Sequence, residues 1–227
     1  MRKALFPAAF AIAASLAVAI PVATAQDTET VDRTVPVSPN GHVVLKTFSG
    51  SVTITGSVRS DVVIHAVRRA PADRLAHIKL DVQSSGSEVV IDANKRDADW
   101  EEHNNNVVET NFEIQVPRGV SLDVNSFSAG VHVTGVDGEQ RLKSFSGDIE
   151  LQGARGPLTA ETFSGKIDVG FDAGVNGDLD FDTFSGNLRT NLPLTLESTS
   201  KRHVKAKLGG GGSELKLKTF SGDVRLK

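Results

Sequence analysis

The sequence predicts an all-β protein, a parallel β-solenoid or β-helix-like stack of 18–21-residue repeats with an irregular N-terminal β region. The first observation is a four-residue corner, Thr/Ser-Phe-Ser-Gly/Ala, which occurs six times, at residues 47–50, 126–129, 144–147, 162–165, 183–186 and 219–222. The second is the spacing of its phenylalanines: Phe127, Phe145 and Phe163 are 18 residues apart, Phe184 follows after 21 and Phe220 after 36. A fixed period of this kind indicates one structural unit stacked on itself.

The third observation is that apolar residues alternate with polar ones on both sides of the corner, as on strands with one buried face. The apolar positions before the corner are Leu122, Val124, Leu158, Ala160, Leu179, Phe181, Leu215 and Leu217, and those after it are Val131, Val133, Ile149, Leu151, Ile167, Val169, Val224 and Leu226. The apolar phase slips by one residue across the corner, so the chain must turn there. Two short strands and two turns make one rung, with rungs about 4.8 Å apart. The 36-residue gap is interpreted as two rungs with one degenerate copy between them.

An antiparallel meander closed into a sandwich would show the same alternation. The solenoid is favoured because one connection recurs with the same corner residues, which an antiparallel meander does not require.

The corner residues have predicted structural roles. The glycines Gly50, Gly147, Gly165, Gly186 and Gly222 are expected to supply backbone angles that other residues avoid. The phenylalanines Phe48, Phe127, Phe145, Phe163, Phe184 and Phe220 share the parity of the buried residues that follow them, so we expect them to stack as an aromatic ladder inside the fold. The alternative is a surface row of ligand-stacking aromatics. The serines are interpreted as corner formers, because none lies in a nucleophile-elbow context.

The N-terminus is typical of a secretory signal peptide. Arg2 and Lys3 precede an apolar run that ends in Ala23-Thr24-Ala25, which predicts a signal peptide over residues 1–25 with cleavage after Ala25. An uncleaved anchor is the weaker interpretation, because Pro7 and Pro21 interrupt the run. We expect a flexible leader at 26–34 and a single β-strand-repeat domain at 35–227, with no membrane span after cleavage.

The domain is expected to have an irregular part at 35–118 and regular repeats at 119–227. In the irregular part, residues 71–76 predict a helical turn and residues 78–91 a hairpin. Residues 95–106 are expected to form a polar loop, and Asn111–Val116 a strand that ends in a turn.

The composition limits the classes of function. Removing Arg2 and Lys3 with the signal peptide changes the formal net charge from −3 to −5, which gives no electrostatic footprint for nucleic acid. The chain has no cysteine, which excludes disulfides and lipoprotein acylation. His42, His65 and His132 stand singly on strands and predict outward polar positions, so no metal site is expected.

Two charged clusters are candidates for a stabilising or ligand-binding role. Asp178, Asp180 and Asp182 alternate along one strand, and a basic stretch at 201–207 follows. We interpret them as a surface charge ladder that fixes rung order, with calcium or cationic-ligand binding as the alternative.

The second cluster is a candidate ligand loop that carries the only tryptophan. It comprises Asp97, Asp99, Trp100, Glu101 and His103. An aromatic beside carboxylates is common in sugar-binding sites, whereas the alternative is a polar loop whose tryptophan packs on the end of the core.

The corner copies, the strand end Ile114–Gly119 and the C-terminal segment 208–224 with its run of four glycines resemble the bacterial putative-adhesin β-strand-repeat family, a domain of unknown function. The resemblance covers about residues 35–227. It implies an envelope or secreted β-repeat protein without established catalytic residues or cofactors, and in some members an association with envelope-stress systems.

These observations favour a non-enzymatic secreted or periplasmic protein, an adhesin-like or scaffold protein of the cell envelope. Its partner would be an envelope protein or a glycan, and we expect no cofactor and no catalytic residue. The alternatives are a polysaccharide-active β-solenoid enzyme and a periplasmic partner in envelope-stress signalling. The sequence leaves open the oligomeric state and the choice between periplasm and exterior.

Overall fold

The protein is described from a computed structural model, which covers residues 26–98, 100 and 106–227. The predicted signal peptide therefore lies outside the described residues. The elements of the N-terminal part are β1 (Asp27–Pro36), β2 (His42–Thr47), β3 (Ser49–Ser57), β4 (Asp61–Ala70), α1 (Ala72–His77), β5 (Ile78–Ser84), β6 (Glu88–Arg96) and β7 (Glu109–Pro117).

Short strands make up the rest of the described chain. They are β8 (Ser121–Ser126), β9 (Gly130–Thr134), β10 (Gln140–Ser144), β11 (Ile149–Gln152), β12 (Leu158–Thr162), β13 (Ile167–Gly170), β14 (Gly177–Thr183), β15 (Leu188–Thr190), β16 (Leu194–Thr199), β17 (His203–Leu208), β18 (Ser213–Thr219) and β19 (Val224–Leu226). The only helix among the described residues is α1, and none is long and apolar enough to cross a bilayer.

The strands form two sheets that face each other across the main core, and a small second cluster of Ala70, Ile78 and Val108 lies beside the helix. The first sheet has the order β1-β4-β7-β3-β9-β11-β13-β19-β15, and the second has the order β16-β17-β14-β18-β12-β10-β8-β2-β6-β5. A rung consists of a strand of the second sheet, the Phe-Ser corner and a strand of the first sheet. Neighbouring rungs pair in parallel, so the predicted parallel solenoid is confirmed over an antiparallel meander.

The repeat works because equivalent side chains lie in register on successive rungs. Leu142 is paired in the sheet with Val124 on one side and Ala160 on the other, and all three are buried. Leu151 lies in the same way between Val133 and Val169 on the opposite sheet. A single rung could not bury these residues, so the core exists only through stacking.

The order of the rungs in space differs from their order in the chain. The last rung, β18 and β19, is inserted between the rung of β12 and β13 and the rung of β14 and β15. The expected degenerate rung is not a rung: β16 and β17 form an antiparallel hairpin whose second strand pairs antiparallel with β14.

In the N-terminal region the predicted helix, hairpin and strand are present, and the predicted leader is not. The helix and the β5–β6 hairpin occur where they were predicted. The flexible leader expected at 26–34 is wrong, because β1 pairs with β4 along its whole length. Its anchor is the buried Arg68, which donates hydrogen bonds to the Glu29 carboxylate and to the carbonyl oxygen of Ile78.

Candidate functional site

The six corner phenylalanines form one continuous stack along a surface edge of the solenoid. In space the order is Phe48, Phe127, Phe145, Phe163, Phe220 and Phe184, with ring centroids 4.6 to 5.0 Å apart and planes within 13° of parallel. Five rung spacings give this phenylalanine ladder a length on the order of 24 Å. At its end, the Arg202 guanidinium covers the outer face of Phe184, 4.3 Å from the ring centre.

The ladder is exposed, which corrects the expectation that it lies inside the fold. Each ring keeps between 37% and 50% of its surface accessible to solvent. The alternation of buried and exposed residues breaks at the corner. Thr162 is buried, the next two residues both point outward, and Gly165 is buried again. The phenylalanine therefore belongs to the outer face, and the residue before it to the core.

The corner is closed by a hydroxyl and by a close approach of backbones. In four copies the buried Ser or Thr accepts a hydrogen bond from the glycine N–H three residues later; for Thr162 and Gly165 the distance is 3.0 Å. A Cβ placed on Gly165 would lie 2.2 Å from the carbonyl oxygen of Gly147 on the next rung. These positions require glycine because a Cβ would clash with the next rung, and not because the backbone takes unusual angles. Of the corner glycines, only Gly50 has a positive φ.

A groove of about 620 Å³ runs beside the ladder over its last four rungs. One wall is formed by the edges of Phe145, Phe163, Phe220 and Phe184. The other wall consists of the residues two positions before them, and its side chains are Lys143, Glu161, Lys218 and Asp182. The sequence reasoning missed this charged wall, although comparing the position two before each phenylalanine would have revealed it.

The stacking of the phenylalanine rings limits which ligands can bind in the groove. The faces of the inner rings are covered by neighbouring rings at about 5 Å, so only the apolar ring edges meet solvent. A sugar ring that stacks on an aromatic face would find no free face inside the ladder. The site therefore offers a narrow apolar strip flanked by charges, which suits another apolar edge with complementary charges.

The predicted charge ladder is present, but its partner strand runs antiparallel. The β14–β17 register sets Asp180 opposite Lys205 and Asp182 opposite His203. The Lys205 Nζ lies 3.6 Å from an Asp180 carboxylate oxygen, and His203 Nδ1 lies 2.8 Å from an oxygen of Asp182. Asp180, Asp182 and His203 have ligand atoms within 4.8 Å of one another, close enough for a cation, but Lys205 already shares the Asp180 carboxylate.

The candidate ligand loop is held against the helix by its aromatic. The Trp100 ring stacks on His77 at 4.3 Å, and its indole N–H points to the Asn106 amide oxygen at 3.4 Å. His77 also lies 3.4 Å from the Asp97 carboxylate. These contacts favour packing on the end of the fold as the role of Trp100.

The other three members of this candidate ligand loop, Asp99, Glu101 and His103, lie outside the described residues. Their part in a binding site stays a sequence prediction.

Outward polar residues join neighbouring strands elsewhere on the solenoid. The Asp32 carboxylate accepts a hydrogen bond from His65 at 2.7 Å and raises the pKa of that histidine, which ties β1 to β4. The side-chain amide and backbone N–H of Asn187 donate to Asp223 and lower the pKa of this carboxyl, which ties two corners together. Both pairs are solvated, so their effect on stability is small.

The fold and the ladder together define a class: a parallel β-solenoid whose corner aromatics form an exposed row. Residues 26–227 match the family model described as Toastrack DUF4097. The chain belongs to this family, a domain of unknown function, as the resemblance in its sequence implied. No curated protein matches the sequence significantly.

Solved structures with low sequence identity are similar to the chain. A structure described as a "putative cell adhesion protein" from Clostridium sporogenes is 13% identical, with a TM-score of 0.60, and the match covers 88% of this chain and 99% of that one. A "putative adhesin" from Bacteroides fragilis is 12% identical over 88% and 97% of the two chains, with a TM-score of 0.28. A "putative lipid binding protein" from Parabacteroides distasonis is 11% identical over 88% and 97%, with a TM-score of 0.35. At these identities the first likeness shows a shared fold.

Proposed function

We propose that this chain is a non-enzymatic, adhesin-like binding protein of the cell envelope or exterior, and that it docks its partner through the groove beside the phenylalanine ladder. The observation that carries the proposal is the exposed ladder itself. Six half-exposed phenylalanines in one row form an apolar patch on the order of 500 Å², near the upper end for a monomer, and such patches mark interaction sites.

Export through the signal peptide at 1–25 is part of this proposal. Its support is the basic, apolar and small-residue order of the N-terminus together with a family match that starts at residue 26. Sequencing the N-terminus of the mature protein should give Gln26 as the first residue, and Met1 would contradict cleavage.

A binding role is favoured over polysaccharide cleavage by the groove's chemistry. The inner ring faces are covered by stacking, and the Glu161 carboxylate lies 3.6 Å from Lys143 Nζ. A carboxylate paired with a lysine is a poor candidate for a general acid, which must carry a proton when it acts. A role in envelope-stress signalling rests on family analogy alone.

The proposal is tested by binding of residues 26–227 to isolated bacterial envelopes in a co-sedimentation assay, with a glycan array in parallel. The double substitution Phe163→Ser and Phe220→Ser should abolish binding while the protein stays folded. Phe163→Leu with Phe220→Leu keeps an apolar edge and should retain part of it. The matched control is Trp100→Ala with Glu101→Gln in the candidate ligand loop, which should bind as the wild type does. Loss in the loop variant with retention in the ladder variant would move the site to that loop.

A further inference from the structure

We propose that the partner of the ladder groove is the same groove of a second copy of this chain, turned antiparallel about a twofold axis. This inference rests on the proposed function, since it names the partner of the same site. A twofold interface needs a surface that complements itself when reversed. The charged wall of the groove has this property.

The charges alternate along the wall. The strand registers set Lys143 beside Glu161, Glu161 beside Lys218, and Lys218 beside Asp182. The order along the ladder is therefore positive, negative, positive, negative. Reversed, the same row reads negative, positive, negative, positive.

A twofold axis that crosses the ladder between Phe163 and Phe220 brings opposite charges together at every step. It sets Glu161 of one copy opposite Lys218 of the other and Lys143 opposite Asp182 of the other. The two phenylalanine rows then meet edge to edge.

On the opposite flank of the ladder, the same twofold axis also brings opposite charges together. The residues two positions after the serines of the corners include Lys166 and Asp223, on the fourth and fifth rungs of the ladder. Reversal about the axis sets Lys166 opposite Asp223 of the second copy. On the third and sixth rungs the same axis sets Asp148 opposite the neutral Asn187.

An axis between Phe145 and Phe163 would also pair opposite charges, Lys143 with Glu161 and Asp148 with Lys166. The charges therefore require an antiparallel pairing, and the end of the ladder distinguishes the two axes.

The end of the ladder fits this register as well. Arg202 lies over Phe184, one step beyond the sixth ring. With the axis between Phe163 and Phe220, the position beyond the sixth ring of one copy lies opposite the second ring of the other copy. Arg202 therefore contacts the edge of Phe127 in the other copy. Both faces of Phe127 are covered by Phe48 and Phe145, so Arg202 would contribute apolar contact through its methylene stem. An axis between Phe145 and Phe163 would leave Arg202 without a ring opposite it.

The area indicates a reversible association. The apolar strips of two copies would together bury about 1,000 Å², at the lower limit for a specific interface. The charge pairs at the rim are solvated, so they contribute mainly register and rate of encounter. We expect a dimer that dissociates on dilution and weakens as salt screens the rim.

The test is sedimentation velocity of residues 26–227 over a concentration series at low salt. The wild type should shift from monomer to dimer. Glu161→Lys and Lys218→Glu should each weaken the dimer at least about tenfold, because each homodimer would then hold two like-charge contacts. A mixture of the two variants should form heterodimers at near wild-type affinity, since every contact is again between opposite charges.

Rescue in the mixture cannot come from refolding of either variant, so it isolates the contact between copies. The matched control is Glu214→Lys, which lies on the same strand as Lys218 but at the end away from the corner. It should dimerise as the wild type does. Two variants that stay monomeric when mixed would overturn the register.

The outcomes also separate this inference from the proposed function. A wild type that stays monomeric at every concentration overturns the second copy as partner. If the Phe163→Ser and Phe220→Ser variant of that monomer still loses envelope binding, the proposed function stands alone. If it binds envelopes normally, both fall.

Discussion

The corner glycines are the residues with the least room to change. The backbone of each packs directly on the next rung, and a Cβ at Gly165 would meet the Gly147 carbonyl oxygen at 2.2 Å. We expect Gly165→Ala to lower the free energy of unfolding by about 3 kcal/mol or more, because backbone cannot move aside as a side chain can. Urea unfolding followed by circular dichroism measures the loss.

Gly130 provides the matched control for this substitution. It belongs to the same repeat, but a Cβ there would find its nearest atom 3.9 Å away. Gly130→Ala should leave stability within about 0.5 kcal/mol of the wild type. Equal effects at the two glycines would show that close approach does not govern the corner.

Asp223 gives the corner a dependence on pH. Its carboxylate accepts two hydrogen bonds from Asn187, each 3.0 Å long, and these lower its pKa below the ordinary 3.8. A depressed pKa adds stability above the unfolded value, and this stability is lost as pH falls through the folded value. Asp223→Ala should therefore be less stable than the wild type at pH 6, and the gap should narrow below about pH 4.

The measurement is the urea midpoint of both proteins at pH 6 and pH 3. Asp27→Ala, on the outer strand, serves as the control for loss of an exposed carboxylate. A gap that is constant with pH would contradict the hydrogen-bonded carboxylate as its cause.

The residue scale also shows where sequence reasoning fails. The repeat alone predicted that the phenylalanines stack, because equivalent positions on successive rungs must meet. The prediction that the rings lie inside the fold was wrong, because apolar and polar residues do not alternate regularly where the chain turns. Thr162 and Gly165 are the buried members of this corner, and the short hydroxyl of Thr162 rather than the large ring of Phe163 fits the turn.

At the scale of elements, the β14–β17 pair depends on its charges. Asp180 faces Lys205 on one side and Lys216 on the other, in strands paired through the backbone. Asp180→Lys would place three lysines side by side. Exposed pairs contribute at most about 1 kcal/mol, so we expect the Tm to fall by roughly 2 to 4 °C in low salt.

Salt distinguishes repulsion from lost packing. The difference in Tm should shrink in 0.5 M sodium chloride, taken as about three times physiological ionic strength, because screening weakens like-charge repulsion. Asp180→Asn removes the attraction without adding a positive charge, so its Tm should lie between those of the wild type and Asp180→Lys. An unchanged Tm for Asp180→Lys would remove the charge ladder as a source of stability.

The element between β15 and β18 could not be identified from spacing. A 36-residue gap fits two rungs, but β16 has a mostly exposed face and its Leu196 points to solvent. A strand that buries so little cannot be an inner rung. The antiparallel direction of β17 depends on long-range pairing with β14, which alternation of apolar residues does not encode.

For the whole molecule, the decisive feature is that the strands β18 and β19 lie inside the stack and not at its end. Stacking in chain order would leave β19 at an open edge of the sheet, whereas β19 pairs with β13 on one side and β15 on the other. Identical corners stack in any order, so the repeat could not reveal the insertion. Its consequence is that the last residues complete the core.

Truncation after Gly212 should therefore destroy cooperative folding. The lost segment buries four side chains completely: Leu215, Leu217, Val224 and Leu226. At roughly 1.5 to 3 kcal/mol each, their burial approaches the stability of an ordinary domain. We expect residues 26–212 to lose the single sharp urea transition expected of the full chain, although only its last 15 residues are missing.

A peptide of residues 213–227, added in excess, should restore the transition by filling the gap between β12 and β14. A scrambled peptide of the same composition controls for nonspecific binding of apolar sequence. Restoration requires strands to pair on both sides of the peptide, so it should saturate at one peptide per chain. A truncated protein that unfolds like the wild type without any peptide would contradict the inserted rung, because a rung at an open end is the only kind that a stack can lose and stay intact.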